Sequence, residues 1–193
     1  YFIENSFYWL TYFNYFSFSF LLFSFYFFRS PKRNPIGTSK EMVSPADGKV
    51  IQIIDINDPE IGDALQISIF LSIFNVHSQH VPIDSKVISS DYYPGKYLLA
   101  FNHKTSTKNE QTITLFETNE KNNQYKIKQI AGFIARRILN YMKPQQYVNK
   151  GQRLGFIRFG SRVEIIIPKN TFDVMVKKGD KIKANISPIG VFK

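Results

Sequence analysis

Hydrophobic positions fall into two regimes along this chain. From Phe7 to Phe28 the run FYWLTYFNYFSFSFLLFSFYFF is aromatic and apolar and contains no charged residue. It has no polar stripe, so the pattern predicts a helix that is apolar on every face. Such a helix would rise about 33 Å, against a hydrocarbon core of roughly 30 Å. Ser, Thr and Asn interrupt it, and its Tyr and Trp favour the lipid–water interface. The expectation is a membrane anchor over residues 1–28, an N-terminal transmembrane helix or a deeply embedded one. The alternatives are an interfacial helix and a cleaved signal peptide. A signal peptide calls for a basic leading region and small residues at the cut, and neither is visible. Arg29, Lys32 and Arg33 follow at once, which by the positive-inside rule orients the downstream part to the cytoplasmic face of a membrane. Pro31 and Pro35 predict an extended linker over residues 29–42.

From Val43 onward the pattern changes to short runs rich in β-branched and aromatic residues, bounded by Gly, Asp and Pro. Lys49–Ile56, Leu65–Phe74, Gln111–Phe116, Tyr125–Ile130, Leu154–Phe159 and Arg162–Ile167 read as strands. Phe133–Lys143 reads as a short helix, with Ile134, Ile138 and Tyr141 spaced by four and three. Val148-Asn-Lys-Gly-Gln-Arg-Leu154 echoes Val176-Lys-Lys-Gly-Asp-Lys-Ile182. Repeated V-x-x-G-x-x-[LI] turns recur in barrel-sandwich domains, and no lysine at a hairpin tip points to a modification site, so the repeat reads as architecture. The fold expected is mainly β (α+β), a β-sandwich or barrel-sandwich-like domain over residues 43–193 with few short helices.

Composition narrows the chemistry. The 193 residues contain no cysteine, which excludes disulfides, thiolate catalysis and Cys-ligated metal sites. The net charge is +10, and all 25 basic residues lie at or beyond Arg29. A basic domain can seek nucleic acid, anionic lipid or acidic substrates. No helix-turn-helix, zinc-finger or RNP-like pattern is present, so with the aromatic N-terminal run an anionic lipid surface is the better partner, and no nucleic acid is expected.

Four groups of residues could carry chemistry. Gly160-Ser161 lies between two strand-like runs. Gly160 has no side chain to shield its carbonyl and the next residue supplies a hydroxyl, although Gly-Ser pairs also occur in many ordinary turns. A serine hydroxyl needs a base. Of the three histidines, His77 follows the apolar run Ile67–Val76, where an imidazole is either a satisfied core residue or functional, and His80 lies three residues on. Two histidines could also ligate a metal, but no third ligand stands at metal spacing, and none is expected. Asp47 in Pro45-Ala-Asp-Gly48 is a turn signature, where a carboxylate commonly bonds its own backbone. Arg136 and Arg137 offer bidentate donors for phosphate or carboxylate, or serve as surface ion pairs.

Four blocks occur together and in order: Ser44-Pro-Ala-Asp-Gly-Lys-Val50, Phe74-Asn-Val-His-Ser-Gln-His-Val-Pro82, Ala131-Gly-Phe-Ile-Ala-Arg-Arg137 and Gly151 to Glu164 around Gly160-Ser161. With Phe27-Phe-Arg-Ser-Pro-Lys-Arg33, these resemble the short form of the phosphatidylserine decarboxylases, the pyruvoyl-dependent family that includes archaetidylserine enzymes. Lys104 and Lys108-Asn-Glu-Gln111 match further family blocks, and Ser30 stands where the family often has Asp. The resemblance covers residues 27–193. It implies a proenzyme in which Ser161 attacks the Gly160 carbonyl, cutting the chain into β chain 1–160 and α chain 161–193. The α chain would begin with a covalent pyruvoyl group (pyruvate) made from Ser161. It further implies that His77 is the base, that Asp47 orients it, and that the pyruvoyl forms a Schiff base with a serine headgroup and releases CO2, turning phosphatidylserine into phosphatidylethanolamine. His80 matches a second histidine of longer members, where short members often have Arg. The partners implied are a phospholipid substrate in the membrane and an α/β heterodimer of the chain's own products, able to pair further. Archaetidylserine differs only in its tails, which no residue here is seen to read. A reading from another class is a non-enzymatic, membrane-tethered barrel-sandwich scaffold.

Overall fold

The computed structural model describes residues 2–98, 108–120, 123–133, 137–158 and 160–193, with side chains from Tyr8 onward. The chain opens with helix α1 (Phe2–Phe27), whose length corresponds to about 39 Å. It contains neither Gly nor Pro, and its aromatic side chains stand in the open: Trp9, Phe16 and Phe25 are each about 70% exposed. Its last turn does the opposite, for Phe27 is completely buried in the β domain. The expected transmembrane span is corrected here: among the described residues no helix is long and apolar enough to cross a membrane. The reason is compositional, since Thr11, Asn14, Ser17, Ser19 and Ser24 and a series of tyrosines dilute the apolar content of the run.

The remainder is mainly β. Strands β1 (Glu41–Val43), β2 (Gly48–Asp58), β3 (Gly62–Leu71), β4 (Ser78–His80) and β5 (Ser85–Tyr93) precede β6 (Gln111–Thr118) and β7 (Gln124–Ile130). Then come β8 (Ile138–Asn140), β9 (Tyr147–Val148), β10 (Arg153–Ile157) and β11 (Ser161–Pro168), followed by β12 (Phe172–Val174), β13 (Lys181–Ile182) and β14 (Pro188–Phe192). Eight strands form one antiparallel sheet in the order β13-β2-β3-β11-β7-β6-β5-β9, curled into a half-barrel. Two three-stranded sheets, β1-β14-β12 and β4-β10-β8, complete the domain. The mainly-β expectation holds, with one curled sheet as its principal layer.

β11 lies at the centre, paired along its whole length with β3 and over five residues with β7. A strand with neighbours on both sides and both faces covered reads as an almost continuous buried run, and every residue from Ser161 to Ile167 is buried. Val163, Ile165 and Ile167 join Ile67, Ile69 and Leu71 of β3 in the main core.

One expected element of the β domain differs from the sequence reading. The helix expected over Phe133–Lys143 is not formed in its second half: Ile138–Asn140 is β8, registered against Ile157–Gly155 of β10. The four-and-three spacing that suggested it also does not bury a stripe, since Tyr141 is half exposed. Pairing with β10 outweighs a weak local helix preference. Residues 134–136, and with them Arg136, lie outside the described residues, as does Lys104. The repeat, by contrast, is one turn used twice. At Asn149–Gln152 and Lys177–Asp180 a backbone bond of 2.9 and 3.2 Å closes the turn, and the Gln152 or Asp180 side chain accepts from the first residue's N–H. Gly151 and Gly179 occupy the third position with φ of 85° and 102°, the left-handed geometry that such a turn demands.

Candidate active site

The site is assembled where β3 ends and β11 begins. β3 stops at Leu71 because Asn75 folds back on Ser72: its side-chain oxygen accepts from the Ser72 N–H at 2.9 Å, and its own N–H donates to the Ser72 carbonyl at 2.9 Å. This tight turn delivers His77 to the interior. Across from it, Ser161 pairs with Leu71 as the first residue of β11. The two segments are adjacent in space although more than eighty positions separate them in sequence.

His77 is fully buried. Its Nδ1 lies 2.9 Å from the Asn75 carbonyl, and its Nε2 lies 3.3 Å from the backbone N–H of Gly160. A carbonyl can only accept and an N–H can only donate, so both contacts select one neutral tautomer, with the proton on Nδ1 and the lone pair of Nε2 aimed at the Gly160–Ser161 step. Burial drives the imidazole pKa down to about 4; the Asn75 hydrogen bond opposes this, the Arg29 charge reinforces it, and Asp47 opposes it again. The desolvating surface is identifiable: the Phe27 ring lies 4.5 Å from the imidazole, centroid to centroid, and Phe156 lies at 6.4 Å. His77 is therefore a neutral base at pH 7.

Ser161 is also completely buried, and its Oγ has no hydrogen-bond partner among the described residues. An unsatisfied buried hydroxyl is costly and calls for a reason. Gly160 adopts φ of 65°, and a Cβ added there would touch nothing within 4 Å. Backbone preference alone thus favours glycine, by roughly 1–2 kcal/mol over a residue with a side chain.

Asp47 does not make the expected hydrogen bond to His77. Its carboxylate is gripped by Arg33, at 2.5 and 3.0 Å to the two oxygens, and accepts the Ala184 N–H at 2.9 Å. The group that orients His77 is the Asn75 carbonyl, and Asp47 acts on the imidazole only through its charge. His80 is held by its backbone N–H to the Pro45 carbonyl at 2.9 Å, while its Nδ1 is buried without a partner among the described residues. Burial, then Arg153 and Arg33, depress its pKa to about 4, with Asp47 opposing. Arg137 is exposed just before β8 and is not drawn into this group.

Several participants carry little sequence signal. Gln79 donates to the His77 carbonyl at 2.6 Å, Gln129 donates to Gln79 at 3.0 Å, and Asn140 donates to Gln129 at 3.0 Å, so a buried amide chain anchors the His77 backbone. Arg29 donates to the Phe74 carbonyl at 2.7 Å and stacks on Tyr26. Phe27, Arg29 and Arg33 thereby explain the FFR-x-P-x-R stretch physically: one residue shields the base, one ties the helix to the His77 turn, one clamps Asp47.

These pKa values set a pH dependence. The folded pKa of His77 lies below its unfolded value near 6.5, so the unfolded state takes up the proton first. Stability is full above pH 6.5 and falls as pH drops toward 4, by roughly 3 kcal/mol for the complete His77 shift. Phe27→Ala admits water beside the imidazole and should move this window upward, toward 6.5. Urea midpoints measured between pH 4 and 8 on both proteins check it; identical profiles would exclude Phe27 as the cause.

Fold and site together define a class: a mainly-β protein holding a neutral histidine and a buried serine against a peptide bond of its own central strand. Comparison with known proteins supplies the family. The family model described as phosphatidylserine decarboxylase matches residues 20–189. A phosphatidylserine decarboxylase proenzyme of Chlorobium chlorochromatii is 43% identical over 174 residues, covering 89% of this chain and 80% of the relative. Those of Syntrophus aciditrophicus (43%, covering 89% and 80%) and Carboxydothermus hydrogenoformans (42%, covering 90% and 83%) are similar to it as well. The chain belongs to the phosphatidylserine decarboxylase family.

Proposed function

We propose that this protein is a phosphatidylserine decarboxylase proenzyme that cuts itself between Gly160 and Ser161. The observation that carries this reading is the neutral His77, its Nε2 held at the Gly160 N–H beside the unpartnered Ser161 hydroxyl. His77 Nε2 exchanges the Gly160 N–H for the Ser161 hydroxyl proton, and Oγ attacks the Gly160 carbonyl, replacing the amide with an ester. Removal of the Ser161 α-proton then breaks the Cβ–Oγ bond. Gly160 departs as a carboxylate and a dehydroalanine remains, which takes up water and releases ammonia to leave a pyruvoyl group. The residues present fit that group, because Ser161 is its only source and already sits buried beside the base. The chemistry supplied there is that of a ketone electron sink for loss of CO2 from a serine headgroup. His77 is placed to return a proton to the carbon that loses CO2, and burial beneath Phe27 and Phe156 disfavours water and a free carboxylate.

Two further features support the whole reading. β11 to β14 belong to the α product, yet β11 is bonded between β3 and β7 of the β product, which favours a lasting α/β heterodimer. The exposed aromatic face of α1 and the net charge of +10 favour embedding at an anionic membrane surface, at about 1 kcal/mol per well-placed basic residue. Arg29 and Arg33 are engaged by the domain, so a cytoplasmic orientation rests on Lys32 and the basic domain beyond.

The test is intact mass under denaturing conditions, combined with release of CO2 from phosphatidylserine vesicles. Two species divided at 160/161, the smaller bearing a carbonyl, together with CO2 release are expected. A single 22.5 kDa chain with no activity on lipid would favour the scaffold instead.

A further inference from the structure

Beside the His77 turn lies an open cleft of about 470 Å³. Lys49, Lys181 and Lys183 line it, along with Phe70, Asp47 and Asn75. Asp47 and Asn75 connect it to the site: Asn75 orients His77, and Asp47 acts on it by charge.

Three features mark the cleft as built for an anion. Lys181 stands directly opposite Lys49 in the β13–β2 pair. Like charges facing each other across strands are destabilising, so this pairing costs stability. None of the three lysines forms an ion pair among the described residues. The carboxylate within the cleft wall is already neutralised by Arg33. The cleft therefore presents unbalanced positive charge, with Phe70 in its lining, beside the Ser72–Asn75 turn that leads to His77.

We infer that Lys49, Lys181 and Lys183 form the subsite for the phosphodiester of the substrate lipid, holding the headgroup so that its serine end reaches His77 and Ser161. This inference rests on the decarboxylase reading. Lysine suits the task, since an ammonium binds phosphate oxygens as a point charge without demanding one geometry. The positive charge also accommodates the second negative charge of the serine carboxylate before CO2 is lost.

The same chemistry could serve bilayer phosphates in general, so the experiment separates the two sources. The triple variant Lys49→Gln/Lys181→Gln/Lys183→Gln is compared with the wild type on short-chain phosphatidylserine kept below its micelle concentration. Lys143→Gln, an exposed lysine elsewhere, is the control. The expected result is a KM raised at least about tenfold, with kcat changed far less and cleavage at 160/161 intact. Replacement of all three by Arg should restore most of the loss. A second readout avoids turnover: in the Ser161→Ala background, glycerophosphoserine binding measured by NMR titration should weaken by a similar factor.

An unchanged KM and unchanged glycerophosphoserine affinity would overturn the subsite. So would a defect confined to vesicles and matched by lost binding to phosphatidylglycerol vesicles, which would make the cleft a bilayer dock. If the wild type is uncut and releases no CO2, the decarboxylase reading itself fails, and the titration still decides whether the cleft takes a phosphodiester.

Discussion

Ser161→Ala should yield one uncut chain of 22.5 kDa, with no carbonyl-reactive group and decarboxylation at background. On the proposed mechanism the loss is total, because one residue serves twice, its hydroxyl as the nucleophile and its carbons as the precursor of the ketone. No neighbouring hydroxyl can substitute, since attack on the Gly160 carbonyl requires the residue that follows it. The variant should still fold. Ser161 Oγ makes no hydrogen bond among the described residues and has no solvent contact, so its removal deletes an unsatisfied polar atom, which relieves a penalty of about 1–3 kcal/mol. The thermal midpoint should therefore equal or exceed that of uncut wild type, at about 2–4 °C per kcal/mol. Intact mass, a carbonyl-reactive label, CO2 release and a thermal melt measure the four consequences. A variant that is cut, or uncut yet active, would end the self-processing account.

Arg162→Met should be the most damaging single change to stability. Arg162 follows Ser161 on β11, and its Nε lies 2.7 Å from Glu164 Oε1 with both side chains at 1% exposure or less. Its Nη2 also donates to Ser68 at 2.7 Å and Gln52 at 3.2 Å. Glu164 would be left buried with its principal counter-charge gone, and breaking such a pair costs about 3–5 kcal/mol. Burial already raises the Glu164 pKa, with Arg162 and then Lys128 opposing. Without Arg162 the pKa rises further. The folded value then lies above the unfolded one, so Glu164 favours folding at low pH and this contribution is lost as pH rises through the folded pKa. The deficit should be smallest in acid and largest at and above neutrality, the reverse of the His77 effect. Adding Glu164→Leu removes the stranded carboxylate and should recover most of the loss. Urea denaturation at pH 5 and pH 8 measures both; a double variant as weak as the single one would refute the stranded-charge account.

Much of the β domain is readable from local pattern, since β-branched runs bounded by turn residues mark β2, β3, β6, β7, β10 and β11 to within a few positions. β5 is hidden from the local pattern because Ser85–Tyr93 mixes Lys, Ser and Asp into its run, and β8 falls within an apparent helix because three residues carry too little periodicity to oppose a chance spacing. α1 is helical where an apolar aromatic run says so, yet its interspersed Ser, Thr, Asn and Tyr keep it below a membrane span. Of the site, Ser161, His77 and Asp47 are legible through their motifs. Arg162 and Glu164 are not, because alternating charges in a strand ordinarily mark a solvated face, and only the assembled domain shows both side chains buried.

Residue order along the chain accounts for the strands, the two left-handed glycine turns and the Gly–Ser step, because each depends on neighbours within a few positions. The fold alone decides which group orients the base. Asn75, two residues from His77, supplies the carbonyl, while Asp47 is drawn away by Arg33 and Ala184. The pKa of His77 is likewise a property of the folded state, since Phe27 and Phe156 withdraw it from water from opposite ends of the sequence. Hydrogen-bond partners and desolvation depend on distance in space, and distances between segments this far apart exist only once the sheet has closed around them.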